Sequence, residues 1–143
     1  MYNIVSRCIR VGDIMPNPQR GVSIIVAITP DKIVYRRGKS EINYPFSAMR
    51  QTYQAFKGKT VSTGDLRKFL PEIYTSQKSG HSCNAPFFLM VMTACGLTNG
   101  PIQGRGHAFY PYYIELKDDD IVQQPEIQQD TQTQEESTAP EKN

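Results

Sequence analysis

Apolar positions in this chain change their spacing near residue 45. Before it they come as short β-branched runs and alternations, and after it they recur at helical intervals. Val22–Ile28 (VSIIVAI) is an apolar run of strand length, entered from the turn-rich segment Pro16-Asn17-Pro18-Gln19-Arg20-Gly21. Thr29-Pro30-Asp31 turns the chain, and Lys32–Arg36 (KIVYR) begins a second strand. Arg37-Gly38-Lys39-Ser40 turns it again, and Glu41–Tyr44 (EINY) returns it. The pattern predicts an antiparallel meander of three short strands, with Ile4 to Val11 available as a fourth.

Phe46, Met49, Tyr53 and Phe56 then fall at spacings of 3, 4 and 3, one apolar stripe on a helix. Pro45 precedes that helix, and Gly58 stands where a C-terminal cap is expected. Ser62-Thr63-Gly64-Asp65 has the form of a capping box. It opens a short helix bearing Leu66, Phe69 and Leu70, which Pro71 is expected to stop. After the polar loop Thr75–Ser82, a third helix is predicted over Ala85–Cys95 (APFFLMVMTAC), capped by Asn84 or Ser82 and closed by Gly96. It is apolar on every side and belongs in the centre of the core. Gly100–Leu116 reads as a two-stranded hairpin with a Gly- and aromatic-rich start. The fold class predicted is α+β: an N-terminal antiparallel meander, three helices and a C-terminal hairpin.

Charge divides the chain in two. Residues 1–116 hold 14 Lys+Arg against 6 Asp+Glu, whereas residues 117–143 hold 2 against 8. The whole-chain balance of +2 conceals this. Residues 1–116 are one domain with one core by size. The Gln-rich, acidic segment 117–143 has no aromatic residue and too little apolar surface to offset its ordering entropy, so a disordered tail is predicted. Three cysteines, Cys8, Cys83 and Cys95, are an odd number at irregular spacing. That argues against a disulfide framework and for a reducing, cytoplasmic setting. No apolar run reaches the roughly 20 residues of a membrane span, and the first residues do not form a signal peptide. A soluble protein is expected, with no membrane partner.

The order of elements over residues 46–116 resembles a winged helix-turn-helix: helix, β-prone link (Lys59-Thr60-Val61), capped helix, polar turn, third helix, hairpin. The resemblance implies DNA binding, with the third helix entering the major groove and the hairpin as a wing on the backbone. The chain departs from that pattern in one place. Phe87-Phe88-Leu89-Met90-Val91-Met92 offers no polar face, so only the approach to the helix can meet DNA. That approach holds Lys78, Ser79, His81, Ser82 and Asn84, suited to phosphates and base edges. Arg36, Arg37 and Lys39 cluster at a hairpin turn, Lys57 and Lys59 flank Gly58, and Arg105 stands between Gly104 and Gly106. Taken singly these are ordinary solubilising charges; summed over a basic domain they are a polyanion footprint whose affinity falls with salt.

Other chemistry competes for the same residues. Cys83 lies at a helix start, where thiolates are favoured, and His107 begins a later strand, an arrangement that resembles papain-like cysteine hydrolases. Only 24 residues separate the two and no acidic or amide orienter is evident, so the enzyme reading is the weaker. His81, Cys83, Cys95 and His107 match no common zinc spacing, and Gly104-Arg105-Gly106 is no nucleotide fingerprint. No metal or cofactor is expected. Phe109, Tyr110, Tyr112 and Tyr113 suit base stacking, although a strand alternating its rings between core and surface accounts for them better. The sequence therefore predicts a non-enzymatic nucleic-acid-binding protein, with DNA favoured. The alternative is an inhibitor or accessory module on an acidic protein surface, and the acidic tail is either a competitor for the basic face or a docking segment for a protein partner.

Overall fold

Met1, Ile4, Val5 and Ile9 are buried at helical, not alternating, intervals. In the computed structural model, which describes residues 1–77 and 80–118, they put a helix, α1 (Tyr2–Cys8), where a fourth strand was expected. The β-branched residues suggested a strand; the spacing decided for a helix. The fourth strand is instead β1 (Ile14–Pro16), a short edge strand ending in a proline. It pairs antiparallel with β2 (Val22–Ile28), which pairs with β3 (Lys32–Arg37), which pairs with β4 (Ser40–Pro45). A bulge lies between Ile25 and Ala27, and Gly38 takes the positive φ of 61° that the two-residue β3–β4 turn requires.

The expected helices form. α2 (Phe46–Phe56) follows β4 directly and buries Phe46, Met49 and Tyr53. After Gly58, β5 (Thr60–Ser62) leads into α3 (Thr63–Phe69), whose capping box is complete: Asp65 N–H donates to Ser62 Oγ and Ser62 N–H donates to Asp65 Oδ2. Pro71 ends α3 but also starts the short helix α4 (Pro71–Tyr74), since its missing N–H costs nothing at a first helical position.

α5 (Asn84–Ala94) fills the centre, with Phe87 through Met92 buried without a break. Tyr35 stacks on Phe87 with ring centroids 3.7 Å apart, so β3 and α5 share one core. Neither Ser82 nor Asn84 caps this helix; Cys83 occupies the cap position with helical dihedrals. The expected C-terminal hairpin forms only in part. β6 (Tyr113–Glu115) pairs with β5, and its contacts with the preceding arm are isolated bridges at Thr98↔Leu116 and Gln103↔Tyr113. Pro111 cannot donate to a ladder, and Gly104 and Gly106 take φ of 95° and 83°, which breaks the strand geometry a hairpin needs. Among the described residues no helix is long and apolar enough to cross a membrane. Of the expected acidic tail only Lys117 and Asp118 are described; the rest lies outside the described residues.

Candidate functional site

Alternation along β3 decides where its cations go. Ile33 and Tyr35 point into the core and Arg37 follows on the same face, while Arg36 points to solvent on the other. The half-buried Arg37 reaches the N-terminal end of α5, where its Nη1 donates to Cys83 Sγ at 3.1 Å. From α3, Arg67 approaches the same place and donates from Nη2 to the Ser82 carbonyl at 3.3 Å. Both line a cleft of about 190 Å3, together with Thr63, Tyr112 and the β1–β2 loop at Pro18 and Gln19. The Tyr112 ring packs so closely on Gly106 that a Cβ there would meet ring atoms at 2.4 Å, so glycine is required for this wall.

Two features make the cleft chemically demanding. Among the described residues neither Arg37 nor Arg67 has a carboxylate within ion-pair distance, whereas Lys57 pairs with the exposed Asp118 at 3.9 Å. Thr63, a residue only 5% exposed, lines the cleft, and no hydrogen bond of its hydroxyl is found among the described residues. Half-buried cations and buried hydroxyls both lose hydration and need a partner in exchange. An anion with several acceptor oxygens answers both needs.

The amides at the start of α5 contribute less than the sequence suggested. Cys83 N–H donates to His81 Nδ1, Asn84 N–H to the His81 carbonyl and Ala85 N–H to the Ser82 carbonyl, and Pro86 has no N–H. Positive charge in the cleft therefore comes from guanidinium groups. Asn84 is also withdrawn from any ligand-facing role. Its buried side chain accepts from Tyr35 Oη at 2.8 Å and donates to the carbonyls of Ile73 and Asn43. Burial, then the neighbouring Cys83 thiol, pushes the Tyr35 phenol far above its ordinary range, so it stays a neutral donor.

The predicted basic cluster is thus divided. Arg37 and Ser82 line the cleft, and His81, beside Ser82 in the chain, does not; Lys39, in the turn after Arg37, and Arg105, next to the lining Gly106, are exposed. Arg36 is exposed on the opposite sheet face, and Lys57 and Lys59 stand at the far end of α2. Lys78 and Ser79 lie outside the described residues. Sequence reasoning missed Arg67 and Thr63, which look like ordinary helix residues in a capped segment. No spacing signals that they face β3, more than twenty residues upstream.

The hydrolase and metal constellations do not assemble among the described residues. His81 Nδ1 is occupied by the Cys83 backbone amide, and no described hydrogen bond joins Cys83 to His107, which is exposed in the loop before β6. Cys95 lies at the other end of α5, and at about 1.5 Å per residue an 11-residue helix separates it from Cys83. Burial and a hydrogen bond with Cys8 push its thiol well up, which marks an inert sulfur. No group of three metal-ligating side chains occurs among the described residues. Comparison with protein-family models, curated proteins and solved structures gave no match.

Proposed function

We propose that this is a non-enzymatic nucleic-acid-binding protein, with duplex DNA the favoured ligand, which grips phosphates with the cleft between β3, α3 and α5. The observation that carries this reading is the convergence of Arg37 and Arg67 without carboxylate partners among the described residues. Lys39 and Arg105 extend the positive surface beyond the cleft. The excess of cations over residues 1–116 supports the same reading. Of the winged-helix resemblance, the reading keeps the order of elements from α2 to β6. It does not use base readout by α5, whose middle is buried. Contacts to the backbone give affinity with little sequence preference.

The test is a salt titration of duplex binding. Affinity should fall steeply with salt, and Arg37→Ala with Arg67→Ala should lessen the salt slope by about two phosphate contacts. Removing residues 119–143 should tighten binding at low salt, because an acidic segment competes for the same cations. Duplex affinity that is absent at low salt, or indifferent to salt, overturns the proposal.

A second reading, a protein-interaction module, is favoured by a different surface. Val11, Ile14 and Val22 are 61%, 65% and 41% exposed around the edge strand β1. An unpaired edge with apolar side chains suits a protein partner. A stoichiometric protein retained after nuclease treatment would replace the first reading with this one.

A further inference from the structure

We infer that the cleft receives the terminal phosphate monoester of a nucleic-acid strand, and that Phe109 and Tyr110 form the platform on which the terminal base stacks. The inference rests on the nucleic-acid reading above and narrows it to strand ends. Size is the first argument. Clefts for drug-sized molecules run to about 300–1,000 Å3. One of about 190 Å3 takes a single group and not a strand passing through it.

Charge and donor count are the second. An internal phosphodiester carries one charge, has two free oxygens and is tied to sugars on both sides. A terminal monoester carries roughly −1.5 to −2 near neutrality and presents three acceptor oxygens. Two guanidinium groups and the Thr63 hydroxyl match that set, one donor group to each oxygen. Thr63 decides between the two ligands. The residue is almost wholly buried where it lines the cleft, and its hydroxyl has no partner among the described residues, so an oxygen that bonds it enters the recess. A strand end can enter; a continuous backbone is held at the surface.

The loop beside the cleft supplies the third argument. Arg105 N–H and Gly106 N–H both donate to the Tyr110 carbonyl, and Tyr110 N–H donates to the His107 carbonyl. This ties the turn bearing Phe109 to the glycine that forms the cleft wall. Phe109 is 97% exposed at that tip, where it contributes nothing to the core, and Tyr110 beside it is also exposed. Rings held this way beside a phosphate site are placed to stack on an unpaired base.

The experiment compares binding of the full chain to one oligonucleotide sequence prepared with a 5′-phosphate, a 3′-phosphate or hydroxyl ends. A phosphorylated end of one polarity should bind at least about tenfold tighter than the hydroxyl-ended strand, and the arm that gains identifies which end is read. Thr63→Val preserves shape and charge, and should bring the affinity for the phosphorylated strand down to that for the hydroxyl-ended strand. Phe109→Ala removes a side chain the fold does not use, and should weaken binding of the phosphorylated strand about tenfold. Equal affinity for phosphorylated and hydroxyl-ended strands, a preference that survives Thr63→Val, or undiminished binding by Phe109→Ala overturns the inference and leaves the nucleic-acid reading standing. Absence of salt-dependent binding to all three strands and to duplex overturns both.

Discussion

Tyr74 occupies a junction at which four elements meet. Its hydroxyl bonds to the Tyr44 hydroxyl on β4 and to Thr52 Oγ1 on α2 at 2.7 Å, and Thr52 in turn donates to the Ala48 carbonyl. Its ring packs edge-on against Phe88 of α5. All these groups are buried, so each hydroxyl depends on the others for satisfaction. Tyr74→Phe leaves the Tyr44 hydroxyl without this partner, and a loss of about 1–3 kcal/mol is expected in denaturant unfolding. The Tyr44→Phe/Tyr74→Phe double variant should cost less than the sum of the two single changes, because the orphaned hydroxyl is gone. Additive losses would show that the two hydroxyls do not act together. At this scale the sequence was poorly legible. A buried Tyr, Thr or Asn looks the same in sequence as an exposed one, and Asn84, which the sequence offers as a cap or a phosphate contact, anchors the core.

Local interactions fix the elements, and there the sequence was read well. The capping box at Ser62 and Asp65 forms as its residues predict, since all its partners lie within four positions of one another. It also aims α3 so that Thr63 and Arg67 face the cleft. Ser62→Ala should therefore cost about 1 kcal/mol of stability and weaken nucleic-acid binding in parallel. A variant that loses stability but binds with unchanged affinity would separate the cap from the site. The errors at this scale share a cause. The β-branched composition of residues 4–11 suggests a strand, whereas the burial interval of Met1, Ile4, Val5 and Ile9 is helical. The length of residues 100–116 suggests a hairpin, although Gly104, Gly106 and Pro111 prevent a continuous ladder.

For the whole molecule, the joined core of sheet and α5 has a consequence at high pH. Burial is the main cause that raises Tyr35, Tyr44 and Tyr74 above the ordinary phenol value of 10.0; Tyr74 is pushed up to about 12, less than burial alone would give because Thr52 and Tyr44 hydrogen-bond to it. The unfolded chain ionises these phenols near 10 and the folded chain does not, so the unfolded state binds fewer protons above that pH. Stability is then whole below pH about 10 and falls as pH rises towards 12. Phenolate absorbance and far-ultraviolet circular dichroism followed together should show these tyrosines ionising only as the fold is lost. Ionisation with the fold intact would contradict their burial.

Taken alone, the sequence determined what depends on neighbours in the chain: strand against helix over most of residues 22–94, the capping box, the central place of the all-apolar helix, and the split between a basic body and acidic end. Tertiary structure alone decided which cations meet. Arg37 and Arg67 come from β3 and α3, and only the packing of both on α5 brings them to one cleft that the buried Thr63 also lines. The physical reason is range. Backbone dihedrals and apolar periodicity are set within a few residues, whereas a binding site is set by side-chain directions across a core.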